Sequence, residues 1–446
     1  MEKYFDLALI KQLSRDYCMS IIRPRLAEPI TKINTENSWS FDNLTQKDTN
    51  YLTHCYHRYP AKFIPQLARR LILENSSDGD IVCDPFYGSG STILESILQN
   101  RIALGTDINP VAHMITMVKT TPLDPSKVSK TKLFLHSQLK NLPTKSEYDI
   151  PKELSKWFDQ KTYDVLNHLL LQIKLIKPRK LQLFFLCAFS HILKTSSYWN
   201  NGSVKPHKDK TKFLNRVNNP ISRYFSHVEK MEIRNEQLIS TLSPRIFKNL
   251  DFYRRAFVGD LQNLPTNDKS SLIVTSPPYV ISYEYRDIHS LSLAFLADFF
   301  KDIPSKKHFI GSSHRKSDND NLYSYTGGLI ADSLLSSSKS LSKTVHSYFI
   351  DMQNFFHKSY GLLKNNGRMA VVIGNTALRG VDISNTQVFD EILATIGFTE
   401  EKIIKRKIPF KCLPTTRDPK TGRFVSSNSN HNKSYSHEYI MIYSKN

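Results

Sequence analysis

Two short stretches hold the residue types that do chemistry: DPFYGSGS, Asp84 to Ser91, and TSPPY, Thr275 to Tyr279. In the first, Gly88 and Gly90 permit left-handed backbone and close approach to a ligand, where a strand hands over to a helix N-terminus. The next apolar run ends in Asp107, where an acid can accept hydrogen bonds from ribose hydroxyls. No GK[ST] follows the glycines, and Asp84 and Asp107 would repel a pyrophosphate. A cationic or zwitterionic nucleoside suits this turn better, and S-adenosylmethionine, with its sulfonium, amino-acid end and ribose, has that chemistry.

In the second stretch, Pro277 and Pro278 fix φ and remove backbone donors, so the corner is stiff and its carbonyls face no competing N–H. Ser276 adds a hydroxyl and Tyr279 a flat ring. The exocyclic amine of a nucleobase is a poor nucleophile, because its lone pair is delocalised into the ring. Acceptors aimed at its two N–H groups favour the tetrahedral nitrogen that attack on a sulfonium methyl requires. The Pro277 carbonyl and the Ser276 hydroxyl can supply them, while Tyr279 offers a face for an extruded base. Either stretch alone also fits a plain stiff turn.

The elements around the stretches put each at a strand end. HRYPAKFIPQLARRLILENSS opens a helix with Ile64, Leu67, Leu71 and Ile72 on one face. A strand at 81–83, the glycine turn, a helix at about 91–99 and a strand at 102–106 make a βαβ unit. Strands resume in RRAFVGDLQNL and SSLIVTSPPY. A helix at about 348–363, the strand GRMAVVIGNT, a helix near 387–397 and two closing strands, FTEEKIIKRKIPF and HEYIMIYSK, follow. The expected class is α/β: a Rossmann-like, mostly parallel sheet with helices on both faces and a helical insertion.

The expected organisation is an N-terminal extension at 1–50, a discontinuous catalytic domain at 51–118 and 250–446, and the insertion at 119–249. In the insertion, Phe158, Val165, Leu166, Leu169, Leu170 and Ile173 fall at helical spacing, and LQLFFLCAFSHIL reads as a buried helix. A short helical pattern lies at 5–22. The Ser- and Lys-rich segment 301–347, with its Gly327-Gly328 pair, reads as a long mobile loop or lid.

With these residues in place, the chain resembles the amino-group DNA methyltransferases, which methylate cytosine N4 or adenine N6 from S-adenosylmethionine. The resemblance covers roughly 55–118 and 250–446. It implies that Asp84, Pro85, Phe86, Gly88, Ser89 and Gly90 line the cofactor's amino-acid end, that Asp107 takes the ribose, and that Asp260 and Leu261 stand at the adenine. It implies Tyr59 and Phe63, in YPAKF, on the cofactor side, and Ser276, Pro277, Pro278 and Tyr279 as the catalytic corner. In this family a serine in the first catalytic place goes with cytosine N4, and aspartate or asparagine with adenine N6; cytosine N4 is favoured here. Cytosine C5 chemistry needs a cysteine nucleophile, and no Pro-Cys dipeptide occurs. The transfer is expected to be direct, with no covalent enzyme intermediate and no metal. The resemblance also implies a bacterial restriction–modification setting, with an endonuclease acting on the same site. Adenine N6, a structured RNA substrate, or a nucleic-acid-binding protein that has lost catalysis are the alternatives.

Composition agrees with such a partner. A formal net charge of +20 over 446 residues points to polyanions. Three basic, turn-rich segments are candidates to meet duplex DNA. One is Lys205, Lys208, Lys210, Lys212, Arg216 and Arg223 with Tyr198, Trp199 and Phe213 interleaved; the others are 305–345 and 411–434. Tyr283, Tyr285 and Arg286, just after TSPPY, either flank the base or pack, and Arg286 is counted with Lys205, Lys208, Lys210, Lys212 and Arg216 among the expected DNA contacts. Five scattered cysteines give no CxxC pair and no zinc spacing, which argues against a disulfide framework or structural metal. No secretion signal and no apolar run of about 18 residues is present, so the expected location is the bacterial cytoplasm.

Overall fold

The computed structural model describes residues 30–60, 62–140, 148–211, 219–261, 264–265, 267–281, 284–317, 321–408, 416–417, 424–425 and 436–446. They fall into two compact units, one spanning Asn43–Ser312 and the other joining the segment before Asn43 with Ser313–Asn446.

The Asn43–Ser312 unit holds four parallel strands, β1 (Ile81–Asp84), β2 (Ile102–Asp107), β3 (Arg254–Val258) and β4 (Ser270–Thr275), in the order β3-β2-β1-β4. The apolar runs of β1, β2 and β4 are buried nearly end to end, as parallel strands covered on both faces require, while β3 at the edge is mostly half-buried. Helix α1 (Pro65–Asn75) starts on a proline and buries Leu67, Ala68, Leu71 and Ile72, the face its spacing predicts. Helix α2 (Ser91–Leu98) follows β1, and α3 (Pro110–Lys119) follows β2, its N-terminus capped by the Asn109 side chain accepting the Val111 N–H at 3.0 Å. This alternation is the expected Rossmann-like α/β arrangement.

Between α3 and β3 the described chain is helical: α4 (Pro125–Gln138), α5 (Gln160–Lys174), α6 (Arg179–Leu193) and α7 (Pro220–Thr241). Their aromatic core runs through Phe184, Phe185, Phe189 and Tyr224. Helix α6 is buried nearly all round, as its sequence predicts. Phe158 is buried ahead of α5, since Asp159 caps that helix through the Thr162 N–H, and Val165 is only half-buried.

The other unit has an antiparallel set, β5 (Leu363–Ile373), β8 (Phe398–Lys407) and β11 (His437–Lys445), with β11 pairing both others. Short antiparallel pairs accompany it: β6 (Thr376–Leu378) with β7 (Val381–Ile383), and β9 (Thr416–Arg417) with β10 (Phe424–Val425). Its helices are α8 (Tyr325–Leu335), α9 (Lys339–Leu362) and α10 (Asn385–Ile396).

Helices α8 and α9 correct the reading of 301–347 as a mobile lid. The Ser324 hydroxyl accepts the Gly327 N–H at 2.8 Å and donates to Glu391, which starts α8; Ile330, Ala331 and Leu334 then give it a buried face. The following helix begins at Lys339 rather than near 348, because Ser338 caps it through the Leu341 N–H. The helical pattern at 5–22 lies outside the described residues, as does most of 411–434.

Candidate active site

Strand order lays four carboxyl ends side by side. Asp84 pairs in register with Gly105, Asp107 with Val258, and Cys83 with Ile273. The glycine turn, Asp107, the Gly259-Asp260 turn and the proline corner therefore all leave one edge of the parallel strands. One contact ties the two motif turns directly: the Thr275 hydroxyl donates to Asp84 Oδ1 at 2.8 Å, with both residues buried.

The glycine turn is held from several sides. Gly88 and Gly90 have φ of +49° and +71°, values that L side chains rarely adopt. A Cβ at Gly88 would lie 3.2 Å from the Tyr59 ring, and one at Gly90 would lie 2.5 Å from Thr116 Oγ1. Asp107 accepts the Gly88 N–H at 2.9 Å and the Asn109 N–H at 2.8 Å, one on each carboxylate oxygen; Asp84 also accepts the Phe86 N–H at 3.1 Å. Burial pushes both acids up to about 6, against the pull of these hydrogen bonds. Among the described residues neither acid is in an ion pair. Tyr59 walls the turn, and its ring lies against His289, with centroids 5.0 Å apart. Burial pulls that imidazole down to about 3, so it is neutral.

These features test the fit of a cationic nucleoside. Two buried carboxylates lack a cationic partner, and each keeps lone pairs for further donors. The Ser89 N–H finds no acceptor among the described residues and can meet an anionic end. Pro85, Ser89 and Gly90 are buried, with Phe86 and Phe63 half-buried. The residues present fit S-adenosylmethionine.

In the corner, Pro277 is buried and Ser276, Pro278 and Tyr279 are half-buried. A brace that the sequence does not announce holds the chain just beyond Tyr279. The Ile281 N–H donates to the Gly311 carbonyl at 3.1 Å, and a Cβ at Gly311 would crowd the Tyr279 carbonyl at 3.0 Å. Ser312 Oγ donates to Glu284 at 2.9 Å, Lys306 Nζ to Asp287 at 2.6 Å, and Arg286 Nε to the Pro304 carbonyl at 3.1 Å. The stretch 304–312, the front of the supposed lid, is thus bonded to the segment on the C-terminal side of the corner.

The remaining candidates divide. The Gly259 N–H donates to the Asp107 carbonyl at 3.0 Å, with Asp260 exposed and Leu261 half-buried next to it. Lys205, Lys208 and Lys210 are exposed on a hairpin loop closed by an isolated antiparallel bridge between Trp199 and Lys208. Lys208 and Lys210 stand 5.6 and 5.3 Å from the centroid of the Tyr198 ring. Trp199 corrects an expectation: it is 2% exposed and stacked on Trp157 at 5.2 Å, an anchor for the hairpin rather than a platform for a base. Lys212, Phe213, Arg216 and Tyr283 lie outside the described residues.

A sequence model of the N6/N4 amino-methylases, described as DNA methylase, matches residues 2–118 and 270–446. The chain belongs to the N6/N4 DNA methylase family. The methylase is similar to the type II methyltransferase M.MvaI of Kocuria varians, 26% identical over 92% of this chain and 94% of that protein. It is also similar to the type II methyltransferase M.BsoBI of Geobacillus stearothermophilus, 24% identical over 81% and 82%. A shorter match, 37% identical over 16% of this chain and 23% of that protein, is to the DNA adenine methyltransferase YhdJ of Escherichia coli K12. Family membership makes the protein a DNA methyltransferase and implies S-adenosylmethionine as its methyl donor. Among the described residues no group of His, Cys, Asp and Glu could hold a metal ion, and no helix is long and apolar enough to cross a membrane.

Proposed function

We propose that this methylase transfers the methyl group of S-adenosylmethionine to the N4 amine of cytosine in duplex DNA, as the modification activity of a restriction–modification system. The Thr275–Asp84 hydrogen bond carries the reading, because it sets the catalytic corner against the turn that fits the methyl donor.

Asp84, Pro85, Phe86, Gly88, Ser89 and Gly90 hold the amino-acid end of the donor, with Tyr59 as a wall and Phe63 beside it. Asp107 accepts from the ribose, and Asp260 and Leu261 border the adenine. When bound, the donor supplies an electrophilic methyl on a positively charged sulfur. The protein's part is to prepare the nucleophile. Tyr279 stacks the extruded cytosine, and the Pro277 carbonyl and Ser276 hydroxyl accept from its amine. The nitrogen lone pair is thereby localised toward the methyl. As the N–C bond forms, the sulfur–methyl bond would break to leave the neutral thioether S-adenosylhomocysteine, and the proton shed by the amine would pass to water.

A neutral Ser276 supports cytosine N4, since a main-chain carbonyl then does most of the accepting. The exposed lysines 205, 208 and 210, with Arg223 at the start of α7, serve as phosphate contacts in a target-recognition region formed by 119–249; Lys212 and Arg216 continue that run in sequence. Methylation of plasmid DNA followed by nucleoside analysis tests the reading. N4-methylcytosine, with protection from an endonuclease cutting at the same sequence, is the expected result. N6-methyladenine in its place would overturn the base assignment.

A further inference from the structure

The glycine turn has a second support that none of its own residues reveals. Thr116 and Lys119 stand three residues apart on α3, and so share one face of that helix. The Thr116 hydroxyl donates to the Gly88 carbonyl at 3.3 Å, and Lys119 Nζ donates to the Ser89 carbonyl at 2.6 Å. Both side chains are buried, Lys119 with 1% of its surface exposed.

A buried ammonium is costly to keep, and burial pulls that of Lys119 well below its usual range. The position is nevertheless well anchored. The Thr53 hydroxyl donates to the Lys119 carbonyl at 2.7 Å. Glu95, whose charge favours the ammonium, accepts hydrogen bonds from Tyr51 and His54. Loss of the Nζ donor would leave the Ser89 carbonyl unsatisfied in a buried setting, which makes this hydrogen bond costly to break.

The geometry has a consequence for the ligand side. In a trans peptide the N–H points opposite to the C=O. With the Gly88 carbonyl turned toward α3, the Ser89 N–H points away from α3, and it is the donor that finds no acceptor among the described residues. Two left-handed glycines flank Ser89, so the Gly88–Ser89 plane could otherwise flip at small cost, while the Ser89–Gly90 plane is held both by Lys119 and by the Gly90 N–H donating to the Tyr87 carbonyl at 2.7 Å.

We propose that Lys119, aided by Thr116, is a positioning residue that fixes the Gly88–Gly90 turn in its ligand-accepting shape before the methyl donor arrives. The proposal rests on the reading of that turn as the donor site. Its effect is preorganisation: the ordering cost is met during folding rather than on binding.

Amide hydrogen exchange of Gly88–Ser91 in the cofactor-free protein tests it, together with the affinity for S-adenosylmethionine. In Lys119→Met these amides should exchange at least tenfold faster and the donor Kd should rise about tenfold, while kcat at saturating donor stays within twofold. Thr116→Val, nearly isosteric, should shift the same two quantities in the same direction by a smaller factor. Tyr56→Phe, which removes a buried hydrogen bond to the Met231 carbonyl outside the Lys119–Glu95 network, should leave both unchanged whatever it does to Tm. Unchanged exchange in both α3 variants would overturn the proposal, as would faster exchange with an unaltered Kd, or an equal effect of Tyr56→Phe. A wild-type protein that fails to bind the donor would strike the proposed function instead, and the exchange comparison would still decide the role of Lys119.

Discussion

The carboxyl edge of the four parallel strands and the basic hairpin at 198–210 are both candidate ligand surfaces, built on opposite physics. At the edge, the charge of Asp84 and Asp107 is buried and negative; among the described residues neither has a cationic partner, and both are fixed by backbone donors. On the hairpin, charge is abundant, exposed and positive; the Trp157–Trp199 stack holds its root, and the Ser203 carbonyl accepts from Lys194 Nζ at 2.8 Å. A buried carboxylate discriminates among ligands because desolvation makes each missing partner expensive. An exposed lysine attracts any polyanion and yields to salt. On the proposed reading, the donor is selected at the edge and the hairpin lysines contact DNA phosphates, which carry no sequence information of their own.

The largest separation should come from Asp107→Ala. Losing a carboxylate that accepts from both ligand and turn should weaken S-adenosylmethionine binding by about 100-fold, the scale of hydrogen bonds to charged groups, with DNA affinity nearly intact by titration. Unchanged donor affinity would remove Asp107 from the site. Next, Tyr279→Ala should lose base stacking, on the order of 1–3 kcal/mol. Single-turnover transfer would fall about 10- to 100-fold with donor affinity spared, whereas an equal loss of donor affinity would show Tyr279 to be misplaced.

Acidity sharpens the contrast. Asp84 and Asp107 titrate near 6 in the free fold, above the usual carboxylate value of 3.8. Their protonation thus favours the free fold: the stability it adds is full below about pH 4 and lost as pH rises through 6. A cationic donor needs them ionised, so its affinity should drop about tenfold per carboxylate between pH 7.5 and 5. Calorimetric titration would check this, with proton release on binding near pH 6. DNA affinity at fixed salt should not follow that pH dependence. The smallest effect belongs to the hairpin. Lys208→Ala and Lys210→Ala should each weaken DNA binding a few-fold and lower the slope of log K against log salt by about 1; unaltered slopes would move the DNA surface elsewhere.

The difference also explains what was legible in the sequence. The edge could be read because its chemistry demands residue types that stand out: glycines at positive φ, acids at strand ends, paired prolines. The apolar runs of β1 to β4 located those ends. What escaped were the supports made by pairs distant in sequence, such as Thr275 on Asp84, Gly311 under Tyr279, and Thr116 and Lys119 behind the glycine turn. Each is an ordinary residue whose role exists only once the strands pair. Helix α8 escaped because Ser, Gly and Asp gave it a loop's composition, while its cap at Ser324 depends on Glu391 far along the chain. For the hairpin, charge was visible but burial was not: Trp199 looked available until Trp157 covered it.

On the proposed reading, one strand edge serves both donor and base. A crystal structure with the demethylated donor, S-adenosylhomocysteine, shows whether it does. The ligand should lie in the Gly88–Gly90 turn with its ribose on Asp107 and its sulfur facing the Ser276–Tyr279 corner across roughly the width of a base. A ligand seated elsewhere, or with its sulfur turned from that corner, would contradict it.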